Sequence, residues 1–237
     1  MELYDVTIKR FPDGTVRYSA NYISNIFNRS VYTGDLVNSS VDPLRALKVS
    51  YNRSIQTVAD LIHANEWDWF FTLTFDERKV DRYDYQKCCD NIMHFTNLLR
   101  ISGIRYIIVP EKHKDGAWHF HGILQGISPD QLYTNSNGYL SFKQYKYGFT
   151  SLDAVRDTHR AGTYILKYMV KGYNYLDIPK GKKRYWASRK LQKPIIDHDV
   201  IDVSELDSLM SKAYYKKRIE GDFYSGWMFE VASDVSD

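Results

Sequence analysis

The middle of the chain alternates short apolar runs with amphipathic helical patterns. Residues 67–75 alternate, with Phe71, Leu73 and Phe75 on one side and threonines on the other, which predicts a strand. Residues 84–101 repeat apolar positions at helical spacing. The remaining patterns predict strands at 105–110, 118–125 and 139–150, a short helix near Ser128 and a longer helix at 155–170. This order favours an α+β fold, in which helices pack on a central antiparallel sheet.

Weaker patterns at both ends predict extensions of this core. Residues 3–23 suit a hairpin, and Asp42-Pro43 suits the N-cap and first residue of a helix. Near the carboxyl end, residues 204–218 predict a helix and residues 222–231 a last strand. We therefore predict three parts, an N-terminal hairpin and helix extension at 1–65, a core at 66–175, and a basic segment with a C-terminal helix packed on the core at 176–237.

Charge is unevenly spread along the 237 residues. Residues 143–193 hold 13 Lys and Arg against 3 Asp, a net of +10, whereas residues 194–237 hold 4 basic and 10 acidic residues, a net of −6. Such a basic block with interleaved tyrosines suits a nucleic acid, although a solvated surface gives the same pattern.

Other features of the composition bear on where the protein acts. No apolar run approaches the roughly 20 residues of a membrane span, and the N-terminus has no secretory signal pattern. The two cysteines have no zinc-type partners at ligand spacing. We therefore expect a cytoplasmic protein without a membrane partner.

The segment from Glu111 to His121 joins two predicted strands. A hairpin centred on Asp115 pairs Glu111 with His119, and His121 shares the face of His119. Two imidazoles and a carboxylate with open positions suit Mn²⁺, Mg²⁺, Zn²⁺ or Fe²⁺. His113 lies on the same face, nearer the loop, and is a weaker candidate.

The predicted helix at 155–170 carries a second chemical pattern. Tyr164 and Tyr168 are four residues apart, and Lys167 and Lys171 flank the same face. The apolar residues form a separate stripe, Ile165, Leu166, Met169 and Val170. Neighbouring lysines favour a phenolate, neutralise a phosphate or protonate a leaving oxygen. Core tyrosines would give the same spacing.

Together these motifs resemble those of the HUH endonucleases. The first motif is matched by Phe71-Thr72-Leu73-Thr74-Phe75, and the second by His119-Phe120-His121 with Glu111 eight residues upstream. The third is matched by Tyr164-Ile165-Leu166-Lys167, and Tyr168 completes a two-tyrosine form. The chain is most similar to the rolling-circle replication initiators of small phages and plasmids.

The resemblance implies a fold and a set of binding residues. The core at 66–175 would be the HUH endonuclease domain, with a ferredoxin- or RRM-like sheet, and Glu111, His119 and His121 would hold Mn²⁺ or Mg²⁺. A looser match follows the tyrosine helix. The residues implied to contact DNA are Thr72, Thr74, Lys182, Lys183, Arg184 and Arg189.

The resemblance also implies roles on the helix. Tyr164 would attack the DNA, giving a 5′-phosphotyrosine and a free 3′-hydroxyl, and Tyr168 would be the second nucleophile. Lys167 would assist Tyr164, and Lys171 would assist Tyr168.

The implied partners are those of replication in a bacterial host cell. The substrate is single-stranded origin DNA, and a host DNA polymerase extends the 3′-hydroxyl. The sequence has no Gly-X-X-X-X-Gly-Lys-Ser/Thr motif, so we expect a host helicase to unwind the duplex. Alternatives are a transposase or relaxase of the same superfamily, a non-catalytic nucleic-acid-binding module, or an Fe(II) oxygenase, which leaves the tyrosines and the basic block without a role. Motif order favours the initiator.

Overall fold

The computed structural model describes residues 2–23, 43–170, 177–221 and 224–232. The chain divides into two compact units, one combining Met1–Val41 with Gln192–Asp237 and the other formed by Asp42–Leu191. Among the described residues, two antiparallel sheets are flanked by four helices, which confirms the predicted α+β fold.

The strands follow one another along the whole chain. They are β1 (Leu3–Arg10), β2 (Thr15–Tyr22), β3 (Trp69–Phe75), β4 (Arg105–Lys112), β5 (Trp118–Gln125), β6 (Leu132–Thr134), β7 (Leu140–Phe142), β8 (Gly148–Ala154), β9 (Trp186–Ala187), β10 (Ile195–Asp202), β11 (Tyr215–Gly221) and β12 (Tyr224–Ala232). The helices are α1 (Pro43–His63), α2 (Tyr85–Ile101), α3 (Thr158–Val170) and α4 (Val203–Ser211), with a short 3₁₀ helix at Pro129–Gln131.

The larger unit is built on a seven-stranded sheet in the order β6-β7-β8-β3-β5-β4-β9. The strand β3 lies between β8 and β5, and its alternation buries Phe71, Leu73 and Phe75 on one face, as predicted. These side chains share a core with Ile92 and Phe95 of α2. Burial of this apolar face stabilises the sheet and fixes which face β3 turns outward.

The other face of the same sheet is covered by α1 and α3. Its core combines Val58, Leu61, Ile62, Ile107, Val109, Ile123, Ile165 and Met169. Because side chains two residues apart share a face, the face of Val109 also carries Glu111, and the face of Ile123 also carries His121 and His119. The candidate ligands therefore extend an apolar core toward the β4–β5 turn.

The smaller unit is a five-stranded sheet in the order β10-β1-β2-β12-β11. The N-terminal hairpin is confirmed as β1 and β2. Leu206 of α4 shares a core with Val6, Ile201 and Phe229 of this sheet. The first and last parts of the chain thus form one sheet, which local patterns did not predict.

Several predicted elements differ from the structure. The helix predicted at 204–218 is wrong beyond Ser211, because residues from Tyr215 pair with β12 as the edge strand β11. The strand β10 was not predicted, since its exposed Asp-His-Asp stretch lacks the apolar alternation of a half-buried strand. The unit division also differs from the predicted boundaries, because α1 lies in the larger unit and α4 in the smaller. Asp42, the predicted N-cap, lies outside the described residues, whereas α1 begins at Pro43 as predicted.

Candidate active site and metal centre

The β4–β5 hairpin has the predicted register. Glu111 pairs directly with His119, and Lys112 pairs with Trp118 at the end of the ladder. Gly116 has φ 88°, a left-handed conformation that favours glycine and sets the turn. The turn therefore places the carboxylate of β4 and the imidazoles of β5 on one face.

A buried carboxylate lies at the centre of this face. Glu111 is 3% exposed, and its Oε2 lies 2.8 Å from His121 Nε2 and 3.4 Å from His113 Nε2. The ligand atoms of Glu111, His113 and His121 all lie within 4.8 Å of one another. One oxygen and two nitrogen donors at this separation fit a divalent cation.

His119 lies beside this group. Its ring stacks on the ring of His113, with centroids 3.7 Å apart and planes inclined by 6°. Burial, together with the neighbouring His113, lowers the pKa of His119 to about 4, which keeps its imidazole neutral near pH 7. The weaker candidate His113 thus enters the close group, because the opposite residue, Ala117, leaves its ring room to lie against His119. His119 as a ligand stays a prediction.

The two threonines of β3 contact the two histidines of β5. Thr72 stands opposite His121 and Thr74 opposite His119 in the ladder. Their Oγ1 atoms lie 3.1 Å from His121 Nδ1 and 3.2 Å from His119 Nδ1. Hydrogen bonds at Nδ1 orient each ring and leave Nε2 as the ligand atom. The predicted contact of these threonines with DNA stays a prediction, but the hydroxyls already have this partner.

The tyrosines of α3 lie against the same cluster. The ring of Tyr168 stacks on His121, with centroids 3.6 Å apart and planes inclined by 8°. Tyr164 is 46% exposed, and its ring centroid lies 5.0 Å from that of Tyr168. The apolar stripe is correct for Ile165 and Met169, which are buried, but wrong for Val170, which is exposed.

The electrostatic setting differs between the two phenols. Burial, and then a hydrogen bond with Tyr164, raises the pKa of Tyr168 above its usual 10.0, so it is protonated at neutral pH. The Lys167 Nζ lies 6.0 Å from the ring centroid of Tyr164. Lys171 lies outside the described residues.

A comparison with known families bears on this site. Residues 68–173 match the family model of the ORF2-type replication-associated proteins. The match indicates a replication-associated protein. It covers 106 of the 237 residues, includes the β4–β5 hairpin and α3, and supports a rolling-circle replication initiator acting on DNA. Neither the curated proteins nor the solved structures gave a match. In the described parts of the chain, no helix has the length and apolar character to cross a membrane.

The basic segment beyond the matched residues is partly structural. Arg184 donates from Nη1 to Ser50 Oγ at 2.9 Å, and its guanidinium lies 5.4 Å from the ring centroid of Tyr51. Trp186 is buried and pairs with Ile108. The three other predicted DNA contacts, Lys182, Lys183 and Arg189, are exposed.

Two residues that support the tyrosines were not predicted as part of the site. Phe70 packs edge-on against Tyr164 at 5.0 Å between centroids, and its place two residues before Thr72 could have indicated the shared face. The buried Tyr51 hydroxyl donates to the Met169 carbonyl at 2.6 Å, and burial raises the pKa of Tyr51 to about 12. That carbonyl lies in the last turn of α3, where helical partners are lacking, so Tyr51 anchors the tyrosine helix.

Proposed function

We propose that this protein is a rolling-circle replication initiator that nicks single-stranded origin DNA and later rejoins strands. The single observation that carries the proposal is the stacking of Tyr168 on His121, beside the buried Glu111. A metal-ligand cluster alone suits several reactions, and paired tyrosines alone suit a core. Their contact at an accessible surface suits nucleophilic attack on a phosphate.

The donor set fits a divalent ion such as Mn²⁺ or Mg²⁺. Glu111, His121 and the predicted His119 would hold it, and His113 is a further ligand candidate from the close group. Such an ion supplies positive charge that polarises the scissile phosphate and offsets charge in the transition state. The β3 threonines keep the imidazole nitrogens turned toward that position.

The proposed reaction is a transesterification at phosphorus. The phenol oxygen of Tyr164, or of Tyr168 in the second step, forms a bond to phosphorus as the P–O3′ bond breaks. The phenol gives up its proton, and the leaving O3′ gains one, so a 5′-phosphotyrosine and a 3′-hydroxyl result. Lys167 is close enough to Tyr164 to favour the phenolate, and Lys171 would act likewise on Tyr168. The reverse reaction rejoins strands without a further energy source, because the phosphodiester is exchanged rather than hydrolysed.

Exposed cations would hold the DNA backbone near this site. Lys182, Lys183 and Arg189 supply such charges, whereas the contacts of Arg184 with α1 favour a structural contribution. The free 3′-hydroxyl would prime a host DNA polymerase, and a host helicase would unwind the duplex. We place these events in the cytoplasm of a bacterial host.

A labelled-DNA assay tests the proposal. The protein is incubated with Mn²⁺ and a pool of randomised single-stranded oligonucleotides, labelled at the 3′ end in one sample and at the 5′ end in another. We expect 3′-labelled DNA to give a protein adduct that survives denaturation, and 5′-labelled DNA to give shorter fragments that a polymerase extends. EDTA and the double variant Tyr164→Phe/Tyr168→Phe should both abolish the adduct, while the exposed-tyrosine control Tyr139→Phe should retain it. Binding without any adduct would favour a non-catalytic nucleic-acid-binding module.

A further inference from the structure

A cavity opens at the carboxyl end of β3, next to the candidate active site. It has a volume of about 350 Å³, and its lining includes Thr74, Asp76, Glu77, Arg78, Arg82 and Phe149. We call it the β3-end pocket. Its wall at Thr74 is shared with the site, because the Thr74 hydroxyl lies 3.2 Å from His119 Nδ1.

An exposed aromatic ring stands at the mouth of this pocket. Phe149 is 61% exposed and pairs with Thr74, which in turn pairs with His119. Two strand spacings put the Phe149 Cα about 10 Å from that of His119. Gly148 permits this placement, because a Cβ there would lie 2.1 Å from the Thr74 carbonyl oxygen. A solvent-facing ring in a row with the histidines offers a stacking surface for a base.

The polar wall of the pocket suits the edge of a base better than a phosphate. Asp76 fixes Arg78 through two bonds, from Nε at 3.0 Å and from Nη2 at 2.9 Å, while the Arg78 side chain is 81% exposed. Arg82 Nη2 lies 3.5 Å from a Glu77 oxygen. Two cations thus face two carboxylates, so the wall has little net charge but offers both donors and acceptors. A base edge presents the same mixture.

The position of the pocket relative to the tyrosines gives it a side of the cut. Phe70, at one end of this face of β3, packs against Tyr164, and Thr74 at the other end borders the pocket. The histidines bonded to Thr72 and Thr74 lie between these ends. In phosphoryl transfer the leaving oxygen lies opposite the attacking oxygen. The pocket is therefore on the leaving side, where the strand ending in the 3′-hydroxyl lies.

We propose that the β3-end pocket binds the base of a nucleotide on the 5′ side of the cut, with Phe149 stacking on it and Arg78 reading its edge. This inference rests on the proposed nicking function. The pocket would select the cutting site by the base preceding it, independently of the backbone contacts of the basic segment.

Sequencing of cleavage products tests this inference. Wild-type protein and variants are incubated with Mn²⁺ and the randomised single-stranded pool, and the 5′-side fragments and adduct-held fragments are sequenced. We expect wild type to prefer one base near the new 3′-end by about 5- to 100-fold, and Arg78→Ala to flatten that preference. Phe149→Ala should lower the adduct rate at limiting DNA about 10-fold, with Phe149→Trp retaining most of it. Tyr139→Ala, which removes a 56% exposed ring elsewhere on the larger unit, is the matched control and should behave as wild type.

The outcomes separate the two proposals. An adduct whose base preferences and rate are unchanged in Arg78→Ala and Phe149→Ala overturns the pocket inference and leaves the nicking function standing. A preference confined to the adduct-held side overturns the inference in the same way. Absence of any wild-type adduct overturns the proposed function, and with it the assignment of the pocket to the 5′ side.

Discussion

The ring of Tyr168 lies face to face with the ring of His121, at 3.6 Å between centroids. This contact joins the helix with the candidate nucleophiles to the strand with the candidate ligands. The helix is held there from its other side, since Ile165 and Met169 are buried in the core of the larger unit. Core packing therefore positions the two phenols.

The threonine hydroxyls should matter for metal affinity. Thr72→Val and Thr74→Val keep side-chain shape but remove the hydrogen bond to His121 or His119, so each imidazole loses its orientation. We expect Mn²⁺ affinity to fall about 10- to 100-fold in isothermal titration calorimetry. Thr96→Val removes a similar hydroxyl on α2, bonded to the Met93 carbonyl at 2.9 Å, and should leave affinity unchanged. Equal affinity in all variants would exclude a role for the β3 threonines in orienting ligands.

His113 should contribute to the same site. Because its Nε2 lies 3.4 Å from Glu111 Oε2, His113→Ala should weaken Mn²⁺ binding about 10-fold or more. His94→Ala serves as the control, since His94 is exposed on α2. If His119→Ala abolishes binding while His113→Ala has no effect, the ligands are the three predicted from sequence.

Tyr51 should stabilise the larger unit. Tyr51→Phe leaves the Met169 carbonyl without this buried donor, so we expect the free energy of unfolding in urea to fall by about 1–2 kcal/mol. The exposed Tyr139→Phe should cost much less. A similar small change in both variants would mean that the hydroxyl does not anchor α3.

Acid should weaken the turn that follows β3. Hydrogen bonds from Arg78 lower the pKa of Asp76 from 3.8 to about 2. A carboxyl with a depressed folded-state pKa stabilises the fold above its unfolded value, and this contribution is lost as the pH falls toward the folded value. Between about pH 5 and about pH 3, wild type should therefore lose more urea resistance than Asp76→Asn or Arg78→Gln. Parallel losses in all three proteins would contradict this.

The candidate site was largely predictable because its determinants are local. The turn around Gly116 fixes the Glu111–His119 pairing, and alternation along β3 places both threonines on one face. Spacing on α3 brings the tyrosines together. The position of His113 depends on how one imidazole leans against another, which no spacing rule gives.

The second sheet was not predictable in the same way. Its strands β1 and β10 pair Tyr4 with Ile201, residues far apart in the sequence. The polar edge strand β10 carries no alternation that would identify it, and the basic β11 follows α4 so closely that both suit one helix. Long-range pairing decided these elements, and only the folded chain displays it.

The most direct measurement is the identification of the residue that carries DNA after reaction. Wild-type protein is treated with Mn²⁺ and the single-stranded pool, digested with protease and nuclease, and analysed by tandem mass spectrometry. The peptide spanning α3 should carry a nucleotide on the oxygen of Tyr164 or Tyr168, and neither tyrosine should be modified when EDTA is present. Nucleotide found on another residue, or on none while cleavage proceeds, would contradict attack by the tyrosines beside His121.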